Sequence, residues 1–155
     1  MYLAVVLLTM LVLPVGSMLA EHLHGPAPWL LLAGKWFVFW SVGVRLMLAG
    51  VRQFAQPSFT AEQIFGTKSP DVLPLIRELG IANVATGVVG LLSLWMPSFT
   101  LPVAISAGIF YGVAGVRHAL EPHRSANETI AMVSDLFVFV VLAVYVGGTL
   151  PHFLP

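Results

Sequence analysis

The residues of this sequence that could do chemistry are a few polar and charged side chains inside apolar segments. Six of them stand out, namely Arg45, Glu78, Asn83, Arg117, His118 and Asp135. A charge at the centre of a membrane helix costs about 2.5–3.5 kcal/mol on insertion scales, so such residues face protein, water or an opposite charge. We therefore expect these six side chains to point into a helical bundle.

Two interpretations of this cluster are open. In the first, Arg45 pairs with Glu78 and Arg117 with Asp135, and the ion pairs only fix how the helices pack. In the second, the six residues line a polar pocket for an anionic headgroup, a quinone-like ring or a proton path. Accidental placement of the charges is a third, weaker alternative.

The composition indicates which class of protein must hold these residues. Of 155 residues, 58% are hydrophobic and only 9% are charged, which is typical of a membrane protein with several spans. The formal net charge of zero argues against a nucleic-acid partner, because phosphate binding needs an excess of basic residues. The sequence has no cysteine, which excludes disulfides, thiolate metal sites and iron–sulfur clusters.

The apolar segments predict an all-α fold, a bundle of five transmembrane helices in one membrane domain. At about 20 residues per span, the expected helices cover about residues 2–20, 29–52, 71–96, 100–120 and 126–148. A capping-box pattern, Thr60-Ala61-Glu62-Gln63, predicts a short interfacial helix over about residues 60–66. The first segment could also be a cleaved signal peptide. An uncleaved helix is favoured because no Lys or Arg precedes it.

Glycines predict how two of these helices pack. Gly80, Gly87 and Gly90 form a row of small residues along the third membrane helix, and the fourth has a similar row. The members of the second row are Gly108, Gly112 and Gly115. Because such rows let helix backbones approach closely, we expect the third and fourth membrane helices to pack against each other.

Basic residues predict the orientation in the membrane. When the helices alternate in direction, most Lys and Arg residues fall at one face, and Lys35 falls at the other. The residues at the first face are Arg52, Lys68, Arg77, Arg117 and Arg124. The positive-inside rule then predicts a cytoplasmic N-terminus and an external C-terminus. The same alternation places the charged cluster in the cytoplasmic half.

Other kinds of site find little support. His22, His24 and His152 could meet at the outer face, but histidines in loops are more often solvated than bound to metal. Haem would need histidines within facing helices, and the only one in a span is His118, at a helix end. Nucleotide-binding and hydrolase motifs are absent from the sequence. The sequence therefore predicts no metal, no cofactor and no catalytic residue.

Three segments underlie a family resemblance: Trp36–Arg45, Arg77–Asn83 and Met132–Asp135. With them, the chain resembles an uncharacterised family of small bacterial multi-pass membrane proteins. More distantly, the short amphipathic insertion followed by Glu78-Leu79-Gly80 and a glycine-rich helix resembles the DoxX-like membrane proteins, which are four-helix bundles sometimes linked to quinone or redox partners. The resemblance implies a DoxX-like core of four helices, and the additional N-terminal helix departs from that pattern. We expect the protein in the bacterial inner membrane.

Three classes of function follow. The leading hypothesis is a non-catalytic membrane protein that contacts membrane lipids and binds a lipid or quinone-like ligand. In a variant of it, the chain is a small accessory subunit, whose partner is another membrane protein or a second copy. The alternatives are a small transporter, or a membrane-embedded enzyme that uses Glu78, Asp135 and His118 as acid and base. The sequence lacks the repeats and broken helices common in transporters.

Overall fold

A computed structural model describes residues 2–25 and 27–153, and within these ranges the chain is helical with short connections and no strand. The long helices are α1 (Tyr2–His24), α2 (Trp29–Ala55), α4 (Pro70–Leu92), α5 (Pro97–Leu120) and α6 (Ala126–His152). A short helix, α3 (Pro57–Gln63), follows α2. The five long helices are each long and apolar enough to cross a membrane. The predicted all-α bundle with five such helices is thus confirmed.

Helix α2 lies at the centre of the bundle. It contacts α1, α4, α5 and α6, whereas the other extensive packing joins α5 to α6. The core lies where α2 faces α6, and Val38, Val42, Val138 and Leu142 are fully buried there. Because α2 is central, side chains near its C-terminal end can line a site inside the bundle.

Two of the long helices contain a π-helical stretch. In α1 it covers Leu8–Val12 and ends two residues before Pro14. A proline has no N–H to donate and its ring crowds the carbonyl of the residue four positions earlier, here Met10, so a widened turn relieves both problems. In α2 the π-helical stretch covers Val38–Val44, and there the Tyr111 hydroxyl of α5 donates a hydrogen bond to the backbone oxygen of Ser41.

The glycines of α4 pack against α2. A Cβ atom added to Gly80 would lie 2.8 Å from the backbone oxygen of Gly50, and one added to Gly87 would lie 2.8 Å from the backbone nitrogen of Met47. Gly43 of α2 faces Gly90 in the same way. The two helices therefore meet backbone to backbone along a row of small residues.

The expected pairing of α4 with α5 is wrong. These helices touch only slightly, and Gly112 and Gly115 of α5 face Phe139 and Leu136 of α6. A row of glycines shows that something approaches closely, but it does not identify the partner. Here α2 is the matching partner, because Gly43 and Gly50 have the same seven-residue spacing as Gly80 and Gly87.

An ion pair connects α1 to α2 at the end of the bundle opposite α3. The Lys35 ammonium lies 2.8 Å from both carboxylate oxygens of Glu21, and the Trp36 ring nitrogen donates to one of them at 2.7 Å. Glu21 is helical, because α1 continues to His24, beyond its predicted end near residue 20. Lys35 thus has a protein partner, the carboxylate of Glu21.

A candidate ligand-binding cavity

A cavity of about 440 Å³ lies inside the bundle at the end that contains α3, which we call the α3 end. Every helix contributes to its wall. The α3 end collects the start of α1, the end of α2, the start of α4, the end of α5 and the start of α6, so their polar residues come together there. The wall is mostly apolar, with residues such as Leu46, Leu79, Phe110 and Ala114.

Arg45 is the cavity's central polar residue. It is the first residue after the π-helical stretch of α2, and its Nη2 atom lies 3.5 Å from the Tyr2 hydroxyl of α1. Its Nε atom is buried and has no hydrogen-bond partner within the part of the chain that the structure describes. Asp135 of α6 also lines the cavity, but the two residues do not form an ion pair.

Two further arginines line the cavity, Arg52 near the end of α2 and Arg117 near the end of α5. The guanidinium carbon of Arg52 lies 3.5 Å from the centre of the Phe59 ring, and that of Arg117 lies 5.6 Å from the Phe65 ring. Phe59 belongs to α3, and Phe65 lies just after it. The α3 segment therefore closes this end of the cavity through contacts between arginines and aromatic rings.

Amide side chains form another polar contact in the wall. The Asn83 side-chain nitrogen on α4 donates to the Gln53 side-chain oxygen on α2 at 2.8 Å. Asn83 is buried, and it follows Gly80 by one turn on the face of α4 that packs against α2. This hydrogen bond therefore strengthens the α2–α4 contact beside the cavity.

His118 lines the cavity and is paired. Its Nδ1 atom lies 3.0 Å from a carboxylate oxygen of Glu128, and both side chains are at most 10% exposed. The short connection between α5 and α6 brings these residues together. The Ser125 hydroxyl accepts from the Glu128 backbone N–H at 3.1 Å and thereby caps the start of α6, while the Glu128 carboxylate turns towards His118.

The cavity reaches the outer surface of the bundle. Leu48, Phe65, Phe110 and Arg117 all line it and are also exposed. Leu48 and Phe110 lie on membrane-spanning helices, so part of this opening faces laterally. The arrangement can thus place a polar group near Arg45 while an apolar group extends towards the bilayer.

The model of a protein family described as one of unknown function, DUF6790, matches residues 1–151. The chain belongs to the DUF6790 family. Membership agrees with the expectation of an uncharacterised family, while the DoxX-like relationship remains a prediction. Neither the curated proteins nor the solved structures give a match.

In this DUF6790 chain, five of the six residues singled out from the sequence line the cavity: Arg45, Asn83, Arg117, His118 and Asp135. Glu78 does not. It is exposed on α4, because the two-residue step from Glu78 to Gly80 turns the helix by about 200° and Gly80 faces α2. The predicted ion pairs Arg45–Glu78 and Arg117–Asp135 are both wrong, since the salt bridges among the described residues are Glu21–Lys35 and His118–Glu128.

Several residues that line the cavity of this DUF6790 chain were not predicted from the sequence. Tyr2 and Tyr111 look like ordinary apolar positions in the sequence, and Phe59 lies in the connecting segment. Arg52 gave a usable signal, because it shares a helical side with Arg45 and Ala49 and all three line the cavity. Glu128, which does not line the cavity but pairs with His118, gave no such signal.

Proposed function

We propose that this protein is a non-catalytic integral membrane protein that binds an amphiphilic ligand, a lipid or a quinone-like molecule, in the cavity at the α3 end. The observation that supports this best is an arginine, Arg45, whose buried Nε atom has no partner among the described residues, in a largely apolar cavity that reaches the surface of a membrane-spanning bundle. Ligand sites are usually concave and mostly apolar with few polar groups, and their volumes are about 300–1,000 Å³. The cavity has these properties.

The distribution of side chains suits a molecule with a polar head and an apolar body. Arg45 and Tyr2 offer hydrogen-bond donors in the interior, while Leu79, Phe110 and Ala114 offer apolar surface. Since Phe110 is exposed on a membrane-spanning helix, the apolar body could continue into the bilayer. A ligand of this kind could enter from the membrane without passing through water.

The acid–base enzyme receives less support from the geometry. Its three proposed residues are Glu78, Asp135 and His118, and Glu78 lies outside the cavity. His118 is paired with Glu128, which restrains its ring. A function as an accessory subunit is compatible with the same cavity, because a bound lipid could lie between this chain and a partner.

We further propose that the bundle lies in a bacterial inner membrane with the α3 end in the cytoplasm. The N-terminus would then be cytoplasmic and the C-terminus external. Most basic residues lie near the α3 end, whereas Lys35 lies near the other and is paired there with Glu21. The positive-inside rule supports this orientation. The proposal includes a DoxX-like core formed by α2, α4, α5 and α6, with α3 at the membrane surface.

Native mass spectrometry of the full chain, extracted in mild detergent, tests the ligand proposal. We expect a co-purifying amphiphile that is depleted in Ala114→Trp, because the larger side chain fills the cavity. Ala82→Trp is the matched control, since Ala82 is exposed on α4 and does not line the cavity. Equal amphiphile content in both variants, or none in the parent, would contradict ligand binding at this site.

Thermal melting of each variant in detergent shows whether it is folded. If Ala114→Trp does not fold, Ala49→Leu is the second cavity-filling variant, because Ala49 lines the same cavity from α2. A protein that co-purifies in fixed stoichiometry, with no amphiphile, would favour the accessory-subunit function instead.

A further inference from the structure

Building on the proposed function, we propose that the ligand's head is anionic, a phosphate or carboxylate group, and that Arg45 binds it inside the cavity. Arg52 and Arg117 lie at the margins of the same cavity and would add attraction for the anion. This inference narrows the ligand from any amphiphile to one with a negative head.

The charge of the cavity wall supports an anion. Its lining includes three arginines and a single carboxylate, Asp135, so three positive charges less one negative leave a formal excess of two. The whole chain has a formal net charge of zero, so this excess is local. An uncompensated cation is costly at membrane depth, and an anionic head would neutralise it. A neutral quinone would not.

The partners of the arginines point the same way. Within the described residues, none of the three forms a salt bridge; each instead lies near an aromatic ring, of Tyr2, Phe59 or Phe65. Contact with the face of a ring leaves the N–H groups at the edge of the planar guanidinium free. Those N–H groups form the fork that matches a carboxylate or phosphate in bidentate geometry.

Of the three arginines, Arg45 gives the strongest evidence for a bound anion. Its Nε donor is buried without an acceptor among the described residues, and Nη2 has only the long 3.5 Å contact with the Tyr2 hydroxyl. Buried donors in proteins are nearly always paired, so an unpaired one needs an explanation. An oxyanion that accepts from Nε and from the neighbouring guanidinium nitrogens would satisfy both.

A titration of the full chain in mild detergent, followed by native mass spectrometry, tests the inference. Four probes are compared: short-chain phosphatidylglycerol, short-chain phosphatidylcholine, a short-chain benzoquinone and inorganic phosphate. We expect phosphatidylglycerol to bind more tightly than phosphatidylcholine or the quinone. Because binding should need both the charge and the apolar wall, inorganic phosphate should bind more weakly than phosphatidylglycerol.

Arginine variants assign this preference to the cavity. Arg45→Gln should weaken phosphatidylglycerol binding by about tenfold or more, which corresponds to the loss of a charge-assisted hydrogen bond. Arg77→Gln is the matched control, because Arg77 is exposed on α4 and does not line the cavity. If Arg45→Gln does not fold, Arg117→Gln is the second test, since Arg117 is exposed at the cavity margin and should weaken binding in the same direction.

The possible outcomes separate this inference from the proposed function. Quinone binding that equals or exceeds phosphatidylglycerol binding, and that is lost in Ala114→Trp, would contradict an anionic head group but support an amphiphile site in the cavity. Inorganic phosphate that binds as tightly as phosphatidylglycerol would support anion binding but contradict an amphiphilic ligand. Binding of no probe would overturn both. Equal phosphatidylglycerol affinities of folded Arg45→Gln, Arg117→Gln and Arg77→Gln would show that the anion binds elsewhere.

Discussion

A Cβ atom added to Gly90 of α4 would lie 2.7 Å from the backbone nitrogen of Gly43 on α2, so no side chain separates the two helices at this contact. In a membrane, lipid tails are as apolar as side chains, and helices associate through close packing and hydrogen bonds. The α2–α4 contact has both, since the Asn83–Gln53 hydrogen bond lies along the same interface. This interface holds one wall of the cavity in place.

The first prediction concerns this glycine row. Gly43→Ala and Gly87→Ala should each lower the free energy of unfolding by about 1–3 kcal/mol, because the added methyl group meets backbone that cannot move aside. The measurement is thermal melting in detergent. Gly147→Ala is the control, since a Cβ there has nothing within 4 Å. Equal melting temperatures for the three variants would show that α2 and α4 do not meet in this way.

The glycine row also shows how much of the fold could be predicted. The five long helices follow from apolar length alone, and a close helix contact follows from Gly80, Gly87 and Gly90. Which helix makes that contact depends on how all five arrange around α2, and no local pattern in the sequence contains this. The expected α4–α5 pair was therefore wrong although the close packing was real.

The candidate site, like the fold, could be predicted only in part from the sequence. Arg45 and Asp135 were expected to face inwards because charges are costly in lipid, and both line the cavity. The expectation that Glu78 also faces inwards was wrong. Its charge avoids the lipid interior in another way, because Glu78 lies near the α3 end on an exposed face of α4. The His118–Glu128 pair depends on the short connection between α5 and α6, so spacing within a single helix could not reveal it.

A second prediction distinguishes the charges that share the cavity from those that do not. Arg45 and Asp135 line the same cavity with opposite charges, so Arg45→Gln and Asp135→Asn should be coupled by about 0.5–3 kcal/mol in a double-mutant cycle. Arg45→Gln and Glu78→Gln should be additive within about 0.5 kcal/mol, since Glu78 faces away. Thermal melting of the single and double variants measures both cycles. Strong coupling of Arg45 to Glu78 would instead restore the ion pair suggested by the sequence.

A third prediction concerns the buried pair between α5 and α6. Glu128→Ala should destabilise the protein by about 1–3 kcal/mol, because it leaves His118 without its partner and opens a buried space. The Ser125 cap, which uses the Glu128 backbone, is retained. Glu121→Ala is the matched control, an exposed glutamate in the same connection, and should melt like the parent. If Glu128→Ala also melts like the parent, the pair contributes nothing to stability.

The last prediction tests the proposed orientation. The chain has no cysteine, so a single introduced cysteine is the only thiol that a maleimide can label. Leu23 near the end of α1 is 84% exposed, and Leu120 at the end of α5 is 77% exposed; the two lie at opposite ends of the bundle. In intact bacterial cells, a membrane-impermeant maleimide should label Leu23→Cys but should label Leu120→Cys only after permeabilisation. Val138→Cys, at a fully buried position, controls for unfolding and should stay unlabelled in both conditions. Labelling of Leu120→Cys alone in intact cells would invert the orientation, and would place the arginine-lined cavity in the outer half of the membrane.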